Sequence, residues 1–306
     1  MTSDLKERIY KAQCLGNVQP IEHMVPYPNL RALVDGQNIK YGEKLVYAEL
    51  NLTSDKVYSL AQQTTNWLIS MGVSPKDRIL VEELPFPQNE ILAFGIWTLG
   101  ASMVLTSDNN IQEANKGTFP TLIVNVEMNY FEKIKTFPKN YNPTYKPLLS
   151  DEAMVFWNNG KGIKLSHYNL LVNTNGIQHA INLFEDQTFH VNLEPKSMAW
   201  VILQTILPLY SGAPLTVKDP DIYLGENEGD FLIGFQWEQL EETNPPTLFM
   251  LNENTAFISM NKTPIHLTGM NNSNKPTEIT GHSVMMGYLD NELNKKVFKN
   301  NSLNII

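Results

Sequence analysis

Gly160, Lys161, Gly162 and Lys164 stand between an apolar run at 153–157 and Ser166, a residue able to cap a following helix. At a strand–loop–helix junction, free backbone N–H groups and lysine ammonium groups could hold a phosphate. The loop is too short for a Walker sequence and lacks its spacing, so a tight turn with solvated lysines fits as well. The six histidines, at 23, 167, 179, 190, 266 and 282, show no metal-ligand spacing such as HExxH and read as surface or satisfied core residues. Glu82 and Glu83 end a strand, where sites gather in doubly wound sheets, yet they precede Pro85 and suit a solvated loop equally. Asp219, Asp221, Glu226, Glu228 and Asp230 form an acidic run without EF-hand order and read as a hydrated loop. Neither a G-x-S-x-G elbow nor a G-x-G-x-x-G loop is present.

The elements that must position these residues follow from periodicity. Ser54 can cap a helix whose Val57, Leu60, Ala61, Thr64, Leu68 and Met71 share one face, and Gly72 ends it. Residues 78–84 read as a strand, Asn89 starts a very apolar helix closed by Gly100, and 102–105 is a second strand. Residues 121–126 and 153–157 are further strands, Ser166 caps a helix, and 214–217 is a strand again. Helix and strand alternating over short connections is the pattern of a parallel sheet covered on both faces. Beyond Lys218 the rhythm weakens, with strands expected at 231–235 and 247–251. Pro20, Pro26 and Pro28 limit the first 28 residues to one short helix at 6–15, and the segment from Asn291 reads as a polar Asn/Lys tail whose last residues, 303–306, are apolar again.

Composition bounds the function. The chain has 306 residues, 23 basic against 32 acidic side chains and a net charge of −9, which argues against a nucleic-acid footprint. The single cysteine, Cys14, excludes a disulfide framework and a zinc ribbon, and a reducing intracellular compartment is expected. No secretory leader is expected from the charged first residues. Residues 91–105 are too few to span a bilayer, while Gln204, Pro208 and Pro214 break the run at 198–217. The 33 asparagines and 3 arginines are read as a bias of an AT-rich coding sequence that implies no site.

Several ordered segments together resemble the adenylate-forming superfamily, which includes acyl-CoA synthetases, peptide-synthetase adenylation domains and luciferases. They are "LVYAELN", "LISMGVSPKDRILVEELP" and "NEILAFGIWTLGASMVLTS" within 29–107, then "GIKLSHYNLL" at 162–171, "LQTILPLYSGAPLTV" at 203–217 and "GHSVMMGYLDN" at 281–291. The resemblance implies an α/β fold of doubly wound, largely parallel sheets flanked by helices, like the N-terminal domain of acyl-CoA synthetases without the C-terminal domain. It divides the chain into an N-terminal extension at 1–28, a domain at 29–290 with subdomains of about 29–150 and 151–290, and the tail at 291–306.

Active members of that family form an acyl-adenylate from a carboxylic acid and ATP, usually for transfer to coenzyme A. Their phosphate loop, roughly "YTSGTTGKPKGV", corresponds here to "FWNNGKGI" at 156–163, several residues shorter and without hydroxyls. Asn158, Asn159, Gly160, Lys161 and Gly162 are its remnant, and only Lys161 and Gly162 match the end of the motif. Ser197 stands where the resemblance puts a substrate-facing His. Thr277 and Glu278 are either the remnant of the adenine-contacting "YGPTE" or the start of a later "GEI" strand. The ribose-binding "TGD" and the lysine-bearing C-terminal domain have no counterpart in the 306 residues.

The reading is a pseudoenzyme with no cofactor and no metal, kept as a structural or accessory subunit of a larger protein complex, with a mitochondrial location suiting it. Its partners are other protein subunits, with no nucleic acid and no membrane span of its own. The alternatives are an ATP-dependent carboxylate–CoA ligase working with a separate C-terminal part, and a non-catalytic acyl- or nucleotide-binding module. A large side chain such as Trp157 projecting into the nucleotide space would favour the structural role.

Overall fold

The computed structural model describes residues 2–21, 23, 25–107 and 111–305, so Met1, Glu22 and Met24 of the lead-in and Ile306 of the tail lie outside the described residues. Helix α1 (Ser3–Ala12) starts at Thr2, whose side chain accepts from the Leu5 N–H. Helix α2 (Leu30–Tyr41) starts at Asn29, whose Oδ1 accepts from the Ala32 N–H at 2.8 Å. A ribbon of β1 (Leu45–Tyr47) and β2 (Leu52–Thr53) leads into α3 (Ser54–Ser70). Thr53, in extended conformation, caps α3 in place of the expected Ser54, which is already its first helical residue.

The first sheet takes β3 (Arg78–Val81), α4 (Gln88–Leu99), β4 (Ser102–Thr106), α5 (Ile111–Thr118), β5 (Leu122–Val124), α6 (Tyr130–Lys133), β6 (Glu152–Asn158) and β7 (Lys161–Ser166). Its strand order is β5-β3-β4-β6-β7, parallel except for β7, which pairs antiparallel with β6. Every residue of β4 is buried, as a strand covered on both faces requires. One face packs on the main core. On the other, Leu80, Val104, Val155 and Trp157 form a smaller cluster with Ala114 of α5. Helix α4 is buried from Asn89 to Leu99, which explains why it is apolar all round and not striped. Gly100, at φ 82°, ends it in the left-handed conformation open to glycine. Gly95 lets α4 cross α3 closely, since a Cβ there would meet Thr64 at 2.3 Å.

Helix α7 (His167–Ala180) follows β7 directly, capped reciprocally by Ser166 and Asn169. The second sheet comprises β8 (Phe189–His190), β9 (Ile222–Gly225), β10 (Phe231–Gly234), β11 (Thr247–Met250), β12 (Phe257–Met260) and β13 (Thr263–Pro264). Its first four strands are parallel and its last two antiparallel. Between β8 and β9 run a π-helical segment, Trp200–Ile206, and α8 (Leu207–Ser211). The strand expected at 214–217 reduces to single bridges from Leu215 to Tyr47 and to Phe189.

The third sheet, β14 (Thr268–Met270), β15 (Glu278–Gly281), β16 (Phe298–Lys299) and β17 (Ser302–Asn304), is wholly antiparallel, with α9 (Asn291–Val297) preceding β16. The two chain ends depart from the extension and the tail read in the sequence. Leu5, Ile9 and Ala12 of α1 and Val297, Phe298 and Leu303 are buried in the main core, and Arg8 donates through Nη1 to the Phe298 carbonyl at 3.0 Å. Asn294, 0 % exposed, accepts from the Tyr288 N–H at 2.7 Å and donates to the Tyr288 carbonyl at 2.9 Å. Its side chain stands in for backbone, so an asparagine-rich stretch folds here without loss of polar satisfaction. The same holds for buried Asn173, which bonds both backbone groups of Phe257.

Candidate functional site

The segment aligned with a phosphate loop forms a β-hairpin. The ladder pairs Trp157 with Gly162 and Asn158 with Lys161, leaving Asn159 and Gly160 as a two-residue turn with φ of 50° and 72°. Positive φ at both positions is the requirement of a type I′ turn, for which Asn-Gly is the favoured pair. The expected strand–loop–helix junction is therefore corrected to strand, turn and strand, with the helix beginning only at His167. The outward edge of β7 is occupied as well. Lys164 N–H donates to the Gly287 carbonyl at 3.0 Å, while the carbonyls of Lys164 and Gly162 accept from Met286 and Leu289. Gly162 answers to packing: a Cβ there would meet Leu289 at 2.5 Å. Lys161 extends its ammonium to 5.9 Å from the Tyr288 ring. Burial lowers the pKa of Lys164, which lies near the charges of Glu152 and Arg78.

Asn158, Asn159 and Lys161 line one cleft of about 350 Å³, together with Trp237, Glu238 and Asn252. Gly160, Gly162, Thr277 and Glu278 do not belong to its walls. Thr277 immediately precedes the third sheet and Glu278 belongs to it: both N–H groups donate to Asn271 Oδ1, and Glu278 opens β15 opposite Asn304. Trp157 does not project into this cleft. It lies on the opposite face of β6, over Gly117 of α5, where a Cβ would come within 2.0 Å of its ring. Alternation along β6 makes that assignment, because Trp157 shares its face with Val155.

A larger cleft of about 680 Å³ opens between the residues after β3 and those after β8. Ser197 lines it and accepts from the Trp200 N–H at 3.2 Å. Glu90, in the first turn of α4 and 1 % exposed, belongs to its wall. Glu90 Oε1 accepts from Trp200 Nε1 at 2.9 Å and from Gln204 Nε2 at 2.8 Å. Gln204 Oε1 in turn accepts from the Leu193 N–H at 2.9 Å, which fixes the opposite wall. Burial raises the pKa of Glu90 against the opposing pull of these hydrogen bonds. Residue types and spacing alone do not single out Glu90. A lone acid in an apolar helix was the available signal, since such residues are rarely buried without a partner. Among the described residues, no group of three or more His, Cys, Asp or Glu is placed to hold a metal ion, and no helix is long and apolar enough to cross a membrane.

No protein-family model matches the sequence, and neither does any curated protein. Solved structures do. The chain is similar to the N-terminal domain of FACL13 from Mycobacterium tuberculosis, with a TM-score of 0.75 and 11% identity over 90% of this chain and 95% of that one. It is similar to McyG A-PCP complexed with phenylalanyl-adenylate, at TM-score 0.74 and 14% identity over 92% of this chain and 64% of that one. A long-chain-fatty-acid-CoA ligase from Archaeoglobus fulgidus gives 0.69 and 12% identity over 90% and 81%. The fold is thus that of the N-terminal domain of adenylate-forming enzymes.

Proposed function

We propose that this chain keeps an adenylate-forming scaffold without the means to grip a triphosphate, and serves as a structural or accessory subunit of a larger protein assembly. The observation that carries the reading is the Asn159–Gly160 turn, two residues long where the family resemblance asks for a hydroxyl-rich loop. Adenylation builds negative charge on a pentacovalent α-phosphate, and loss of one preorganised donor to such charge costs about 3 kcal/mol. Here the carbonyl of Gly162 and both backbone groups of Lys164 are engaged by residues 286–289. The scaffold survives because its buried helices and strands do not depend on that loop. A mitochondrial complex is the setting proposed for it.

Calorimetry with ATP and Mg²⁺ tests the first half: no binding is expected, and micromolar affinity or acyl-AMP formation by the chain alone would overturn it. Size-exclusion chromatography of the native protein, with cell fractionation, tests the second half. Elution well above one chain mass from a mitochondrial extract is expected, and a free monomer counts against a subunit. A second reading, a binding module without chemistry, is favoured by the 680 Å³ cleft.

A further inference from the structure

The chain holds two Asn-Gly pairs, Asn159-Gly160 at the hairpin turn and Asn175-Gly176 in α7. Asparagine is thermolabile because its side-chain amide can acylate the next backbone nitrogen, and glycine leaves that nitrogen unshielded by a Cβ. The two pairs stand in opposite surroundings. Asn159 and Gly160 are exposed, and a Cβ on Gly160 would find only Glu113 Oε1, at 3.9 Å. The Gly160 N–H donates to no group among the described residues. Gly176 is buried, its N–H belongs to the ladder of α7, and a Cβ there would meet Ile265 at 2.4 Å.

The turn itself gives access to the reactive geometry. A five-membered ring between the Gly160 nitrogen and Asn159 Cγ needs that nitrogen eclipsed with the Asn159 Cβ. The first residue of a type II′ turn, at φ of about +60° and ψ of about −120°, provides this arrangement, whereas a type I′ turn, at ψ of about +30°, points the nitrogen away. Rotation of the one peptide plane between the two residues interconverts these turns. Both close the same two-residue hairpin, so the pairs Asn158–Lys161 and Trp157–Gly162 are kept, and Gly160 accepts the reversed sign of φ. Inside α7 the same rotation would break helical hydrogen bonds.

We propose that Asn159 is a site of spontaneous covalent modification, reached through this rotation of the turn. The Gly160 nitrogen bonds to Asn159 Cγ, the bond from Cγ to the side-chain nitrogen breaks, and ammonia leaves with the proton that Gly160 gives up. Water then adds to either carbonyl of the resulting succinimide, giving aspartate or isoaspartate. Either product sets a carboxylate beside Lys161 on the wall of the cleft of about 350 Å³, and isoaspartate also lengthens the turn by a methylene. The inference goes beyond the subunit role and holds or fails independently of it.

Incubation of the full chain at about pH 8, folded and in about 8 M urea, tests it, with peptide mapping that separates aspartate from isoaspartate. In the folded chain Asn159 is expected to convert to both products at least about tenfold faster than Asn175, since rotating an exposed turn is far easier than opening a buried helix. In urea the two rates should agree within about threefold, because the unfolded chain gives both pairs the same freedom. Asn159→Gly, which suits either turn, should remove the products at this peptide and leave Asn175 unchanged. Equal rates at the two sites in the folded chain, or an Asn159 that stays intact there while the urea-treated chain converts, would overturn the proposal. So would aspartate formed without isoaspartate, or an Asn175 that lags as far behind in urea as in the folded chain.

Discussion

Replacing His167 by Asn should flatten the acid limb of the stability curve. His167 opens α7 and is buried, and its Nδ1 accepts from the N–H of Leu30 at 3.3 Å, an amide in the first turn of α2. Burial pushes its pKa down from 6.5 to about 4, with Asp151 opposing. Because the folded value lies below the unfolded one, the unfolded chain takes up the proton first. The stabilisation is therefore whole above pH 6.5 and is lost as the pH falls toward about 4. A gap of about 2.5 between the two values corresponds to about 3 kcal/mol, of which about 2 kcal/mol is lost between pH 7 and pH 5. Asn keeps an oxygen that can accept from Leu30 but does not titrate in this range. Any constant cost of the substitution cancels when two pH values are compared. Urea unfolding at pH 7 and pH 5 should show the parent losing about 2 kcal/mol more than His167→Asn. Equal losses in the two proteins would refute the assignment of a buried neutral imidazole.

Three further outcomes follow from the hairpin and its surroundings. Gly160→Val places a β-branched residue at φ 72° and should cost about 1–2 kcal/mol in chemical denaturation; unchanged stability would argue against the tight turn. Gly117→Ala drives a methyl into the Trp157 ring and should cost about 1–3 kcal/mol, with Trp157→Phe recovering part of the loss in a double-mutant cycle. Arg78 holds Glu152 by two bonds of 2.8 Å that tie β3 to β6 across β4, so Arg78→Lys should cost about 1–2 kcal/mol and raise the urea sensitivity of the fold.

The alternation from 54 to 106 was legible because its periods are strong: Val57, Ala61, Thr64 and Leu68 are buried on one helical face, and Gly100 closes the next helix. The parallel pairing of β5, β3, β4 and β6 in the first sheet followed from short connections between such elements, whereas the antiparallel β7, β12, β13 and third sheet carry no such signal. The candidate loop differs from its expected form for a local reason. Asn159-Gly160 between two runs of strand-forming residues is itself a hairpin signal, but Gly162 and the lysines beside it are equally compatible in sequence with a phosphate loop. The last segment differs for another. Asn and Lys dominate its composition, while its structure depends on Val297, Phe298 and Leu303 and on Asn294, whose amide replaces a missing backbone partner. For Glu90 the sequence offers only a lone acid in an apolar helix, because its partners, Trp200 and Gln204, are 110 and 114 residues away, and no pattern of spacing joins them.

The seating of α1 against the final strands bears on how the molecule is made. Arg8 and Phe298 meet across 290 residues, so the apolar face of Leu5, Ile9 and Ala12 lacks its partners on β16 and β17 until the last part of the chain is made. At about 5–20 residues per second, that face waits roughly a quarter of a minute to a minute before β16 and β17 emerge. During that interval the helix keeps its apolar face open to water, and closure of the last sheet is the event that seals it.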